Sequence, residues 1–177
     1  MKIYKLCFDV DNYDNIETCQ EMLVDFYQMF DGTSLKETWE KIEVKRMEPE
    51  KGLKLGDAPG FTIPVFGKKA MDVLYPLLKE DVEILPMQFE GGELYGINVL
   101  TVLDALDYDL SKYITFRDGK RILAIQKYAF KPGVIKGKNI FKIENEKHRA
   151  PFVSEEFYNA VIDGELEGFK LELVYEA

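Results

Sequence analysis

The chain has 177 residues, of which 46% are hydrophobic, 13% aromatic and 31% charged. That is the length of one domain with ample core material, which excludes general disorder. The formal net charge of −9 disfavours direct binding to DNA or RNA, and no apolar run of about eighteen residues is present to cross a bilayer.

The charge is uneven. Residues 1–50 hold 12 acids and 6 bases. Between Lys5 and Lys36 there is no Lys or Arg, while Asp9, Asp11, Asp14, Glu17, Glu21, Asp25 and Asp31 all fall in that gap. Such a surface steers a basic protein partner toward itself, or it is simply a solvated face that aids solubility. Lys5 and Asp9 interrupt the first apolar stretch and no small-residue cleavage site follows, so the N-terminus does not read as a secretory leader. A cytoplasmic location is the default expectation. Cys7 and Cys19 lack CxxC spacing and read as free thiols, since one pair makes no disulfide framework.

Residues 2–10 alternate, with Tyr4, Leu6, Phe8 and Val10 on one face, and predict a half-buried strand. Over 15–30, Cys19, Met22, Leu23, Phe26, Met29 and Phe30 recur at helical spacing. This predicts an amphipathic helix capped by Asp14 or Asn15, with Glu17, Glu21 and Asp25 in an outward stripe. Lys41–Glu48 reads as a strand broken by Pro49, and 49–60 as a Gly/Pro loop. Pro64 forces a short extended piece over Ile63–Phe66. Ala70, Val73, Leu74, Leu77 and Leu78 then define a helix capped by Gly67, with Pro76 in its last turn.

Val82–Met87 and Leu94–Leu100 predict two strands around a turn at Glu90–Gly92. Val102–Leu106 reads as a helical turn, Arg121–Phe130 and Ile140–Ile143 as strands. Ser154 caps a helix whose Glu155 and Glu156 suit the positive end of the dipole, with Val153 and Tyr158 placed as a hydrophobic staple. Gly164 stops it. Phe169, Leu171, Leu173 and Tyr175 alternate with polar residues in a final strand. Strands outnumber helices without regular alternation, so the expected class is α+β, mostly antiparallel sheet with a few amphipathic helices.

Chemical motifs are sparse. Asp9–Asp14 fails as a calcium loop because Asp14 replaces the sixth-position Gly and Gln20 the twelfth-position Glu. It fails as a phosphotransfer aspartate motif because Tyr13 stands where Thr or Val belongs. His148 is the sole histidine and reads as a surface loop residue. Ser154 lies in no GxSxG, and the glycines form no phosphate loop. Trp39 reads as core or partly buried packing. No catalytic, cofactor-binding or metal-ligating set emerges.

The order of features from Gly56 onward carries more. A Gly-Asp-x-Pro turn at 56–59 precedes Pro-Val-Phe and the helix KKAMDVLYPLL. Glu83-Ile-Leu-Pro86, LYGINVLTVLDALDYDLS, a strand ending in Tyr128 and Phe130, Ile140-Phe-Lys-Ile, Pro-Phe-Val-Ser154 and Gly168-Phe follow. Together these resemble a bacterial polymorphic-toxin immunity protein family, the eleventh of the numbered immunity series and formerly a domain of unknown function. Gly67 stands where similar proteins often have serine; either caps the helix. The resemblance implies one immunity-type domain over 1–177, with an acidic, variable part at 1–50 and a family-like core at 56–175. It implies no enzyme activity, no cofactor and no metal, and a partner that is a cognate toxin domain rather than nucleic acid or membrane. A basic nuclease toxin would complement the acids, so the expected toxin-binding residues are Glu17, Glu21 and Asp25, rimmed by Asp11, Asp14 and Asp31. The alternatives are an enzyme of unknown reaction with a carboxylate-lined pocket, and a self-associating scaffold protein.

Overall fold

The computed structural model describes residues 1–21 and 26–177. Strand β1 (Lys2–Phe8) is followed by β2 (Ile16–Thr18), a 3-10 turn at Phe26–Met29, β3 (Val44–Arg46) and a second 3-10 turn at Pro49–Lys51. Then come β4 (Val65–Gly67), helix α1 (Lys68–Leu78), β5 (Val82–Pro86), β6 (Leu94–Val99) and β7 (Val102–Leu103). The rest is β8 (Lys112–Thr115), β9 (Ile122–Lys127), α2 (Pro132–Ile135), β10 (Ile140–Ile143), β11 (Phe152–Ser154), α3 (Glu155–Asp163) and β12 (Phe169–Glu176). The class is α+β.

The organising sheet runs β12-β1-β11-β10-β7. Its strands are antiparallel except for the β7–β10 pair. Apolar clusters pack on both of its faces. Leu6, Ile140 and Val153 meet Leu74 and Leu78 of α1 and Phe157 and Val161 of α3. Ile3, Phe141, Ile143 and Phe152 meet Leu106, Phe130 and Ile135 on the other side. A three-stranded sheet, β4-β6-β5, lies between the first cluster and a third one. Phe66 and Ile97 face the first cluster; Val65 and Leu85 face Ile16, Phe26, Phe30 and Val44.

Local signals hold where they include their own caps. α1 starts after Gly67 and contains Pro76. In α3, Ser154 Oγ accepts the Phe157 N–H at 3.1 Å, with Glu155 and Glu156 in the first turn. β5 and β6 pair antiparallel over Val82–Pro86.

Among the described residues, the start of the helix expected over 15–30 is a strand. Ile16, Glu17 and Thr18 instead pair with Arg46, Lys45 and Val44, and the only helical turn described in that range is Phe26–Met29. Met22, Leu23 and Asp25 lie outside the described residues. A helix would have aligned Glu17, Glu21 and Asp25 at repelling four-residue spacing without a base; the β2–β3 ribbon places Glu17 opposite Lys45 instead. The expected helical turn at Val102–Leu106 is also overturned, because Val102 and Leu103 add a parallel edge to β10. The alternation of β12 breaks where Ile3 pairs with Tyr175 and Tyr4 with Leu173, leaving Val174 as a bulge. Leu173 turns outward, 51% exposed, while Val174 and Tyr175 pack against the second cluster.

The Gly-Asp-x-Pro turn is built into the closing strand. The Glu167 N–H donates to Asp57 Oδ2 at 2.8 Å, and the Gly67 N–H to the Asp57 carbonyl at 2.8 Å. Gly168 sits at φ +88°, where an added Cβ would stand 2.8 Å from the Ala58 carbonyl oxygen. Only glycine allows the two backbones to lie so close.

Candidate functional site

The five described among the six expected contact residues separate into distinct environments. Asp14 is buried, its side chain 1% exposed against Arg46 Nε at 2.7 Å. Its other oxygen accepts the Glu48 N–H at 3.0 Å. This carboxylate ties the β1–β2 connection to β3 and has no surface to offer, so the expected rim loses it. Asp31 is half-buried, accepts from the Thr33 N–H and hydroxyl, and lies 3.4 Å from Lys147. Those Thr33 hydrogen bonds, with Lys147 behind them, hold its carboxyl down at about 2. Asp25 lies outside the described residues. Asp11 and Glu21 are exposed, and Glu17 is partly exposed and paired with Lys45 at 3.3 Å. Among the described expected residues, Asp11, Glu17 and Glu21 are therefore the positions that offer carboxylates at the surface.

Inside the fold, acids serve the scaffold. Burial would raise the Glu83 carboxyl, yet hydrogen bonds from Ser34, the Leu35 N–H and Asn98 hold it below its ordinary value. Asp81 accepts from Lys138 at 2.7 Å and Thr101 at 2.5 Å. Glu146 accepts the Tyr128 hydroxyl at 2.7 Å; burial first, and this carboxylate second, raise the phenol. Each group is satisfied by its neighbours, which is how a stable interior treats buried polar atoms. Among the described residues no three His, Cys, Asp or Glu side chains group as metal ligands. Cys7 and Cys19 are free, His148 is exposed, and the Trp39 indole N–H donates to the Pro86 carbonyl at 2.9 Å.

Sequence reasoning passed over a second surface. Strands β8 and β9 form a two-stranded ribbon beside which Tyr108, Leu110, Tyr113, Ile114, Phe116 and Leu123 are all exposed. Lys112, Arg117, Lys120, Arg121 and Lys127 alternate with them against one acid, Asp118, over 111–128. Exposed apolar side chains gathered on one ribbon mark an interaction surface more often than scattered ones do. Ile122 and Ile125 anchor its inner side to the second cluster. The signal was present in the sequence as alternating Tyr, Ile, Phe and basic residues around Asp118-Gly119.

Residues 81–176, more than half of the chain, match the family model described as Immunity protein family (Imm11), and the chain belongs to that family. The matched span runs from the start of β5 through β12 and includes the β8–β9 ribbon; the exposed acids precede it. No curated protein matches the chain. As a family of immunity proteins it points to neutralisation of a toxin. Among the described residues no helix is long and apolar enough to cross a membrane.

Proposed function

We propose that this protein is a cytoplasmic immunity protein, folded as one domain, that binds a cognate toxin domain and blocks it without catalysis. Membership of the immunity family over residues 81–176 carries the reading. The toxin it fits is a basic one, such as a nuclease domain, steered by the carboxylates of Asp11, Glu17 and Glu21 and by the net charge of −9. Exposed charges of this kind act on association rate and its salt dependence more than on the lifetime of the complex.

The ribbon of β8 and β9 supports a second contact of different character. Its exposed Tyr113, Ile114 and Leu123 supply the apolar and aromatic material of an interface core, and its basic residues would meet acidic positions.

The test is co-expression with the toxin encoded beside it, scoring growth and co-purification. Rescue and a stable complex are expected; failure of both overturns the immunity reading. Asp11, Glu17 and Glu21 changed together to Lys should slow association roughly tenfold or more at low salt and flatten its salt dependence. An unchanged rate removes the acidic contact. Tyr113→Ser with Leu123→Ser should instead speed dissociation, and a wild-type off-rate removes the ribbon.

A further inference from the structure

A cavity of about 500 Å³ opens where β1, β10, the Phe26–Met29 turn and the loop after Gly60 meet. Phe8, Phe30, Phe61 and Ile63 form its apolar wall, and among the described residues every ionisable group on the lining other than Cys7 and Tyr27 is basic: Lys5, Lys142, His148 and Arg149. Among the described residues no carboxylate lines it, in a chain with 32 acids against 23 Lys and Arg.

These bases are not equivalent. Lys5 Nζ stands 5.8 Å over the Tyr128 ring. Arg149 lies 3.7 Å from Glu146. Lys142 is 4% exposed and donates to the Phe30 carbonyl at 2.5 Å. Among the described residues it stands in no ion pair within 4.0 Å. Asp31, the acid whose field reaches it, is already committed to Thr33 and Lys147. An ammonium has three donors, and among the described residues the Phe30 carbonyl matches one of them. A buried cation with no counter-charge is costly, and the complementary group is an anion that can accept from the others.

We propose that this cavity is a binding site for a small organic acid, its carboxylate against Lys142 and its aromatic or aliphatic body against Phe8, Phe30 and Phe61. The volume lies within the usual range for small-molecule sites, as does the pattern of apolar walls with one well-placed charge. This binding reading does not rest on the proposed toxin contact.

The test uses two probes of one shape, 2-naphthoate and 2-naphthamide, titrated calorimetrically into the full chain at pH 7. The acid should bind saturably, with one site, at least tenfold more tightly than the amide. In Lys142→Met that preference should fall to within about twofold, with both probes still entering the apolar wall. Equal binding of acid and amide to the wild type overturns the proposal and needs no variant. A preference that survives in Lys142→Met, or no saturable binding of the acid, overturns it too.

Discussion

Replacing Lys142 by methionine should make this protein more stable at neutral pH. Burial pulls the Lys142 ammonium down from 10.5 to about 8, with only Asp31 opposing. At about 1.4 kcal/mol per pKa unit, holding the charged form inside costs about 3 kcal/mol. Methionine fills a similar elongated space without a charge. Losing the hydrogen bond to the Phe30 carbonyl returns about 1–2 kcal/mol of that, so the net gain is about 1–2 kcal/mol. For a chain of this size that raises the melting temperature by roughly 3–6 °C. The pH dependence is sharper than the magnitude. Between about 8 and about 10.5 the unfolded chain holds a proton that the folded one has released, so wild-type stability rises with pH across that window. Below 8 the full penalty is present. The variant has no such group, and the other ionisable neighbours (Lys5, Asp31, Lys147, His148 and Arg149) are common to both proteins. The stability gap should therefore close and change sign as pH rises from 7 toward 10, since the penalty released by then, about 2–3 kcal/mol, exceeds the net gain of about 1–2 kcal/mol. Urea unfolding of both proteins at pH 7 and pH 10 measures it. A variant less stable than wild type by more than about 1 kcal/mol at pH 7 refutes the reasoning, as does a gap of the same size and sign at both pH values.

Two further substitutions probe the scaffold. Asp14→Ala strips Arg46 and the Glu48 N–H of their buried acceptor and should cost about 2–4 kcal/mol in urea unfolding; a loss below about 1 kcal/mol would show that the pair is not a tie between the β1–β2 connection and β3. Gly168→Ala places a Cβ 2.8 Å from the Ala58 carbonyl at φ +88° and should cost roughly 2 kcal/mol or more. Thermal melting within 2 °C of wild type, an amount worth less than about 1 kcal/mol, would mean that the 56–59 turn and the start of β12 separate freely.

Elements legible along the chain were those whose signals are local. α1 and α3 combine helical apolar spacing with a start and a stop within a few residues, and the β5–β6 hairpin pairs neighbours across a short turn. The central Lys of Ile140-Phe-Lys-Ile was legible only as strand, because alternation says nothing about whether the second face is also covered. The helix expected over 15–30 failed for a related reason. Its apolar spacing was real, and Phe26 and Phe30 are buried, but Ile16 and Val44 gain more by closing a ribbon over the third cluster than isolated helix turns offer against three aligned acids. β8 went unread because Tyr113 and Ile114 are both exposed and show no inward face.

Composition, charge and the order of motifs from Gly56 to Tyr175 determined the α+β class and the immunity family, since those depend on capped helices, turns and strand lengths written locally. Tertiary structure alone decided which acids are surface and which are struts. Asp11 and Asp14 are three residues apart, yet one is exposed and the other is closed over by Arg46 from β3. It alone also buried Lys142 behind Phe30 with no ion pair among the described residues, because burial and counter-charge are supplied by residues far away in sequence that only the packed sheet brings near.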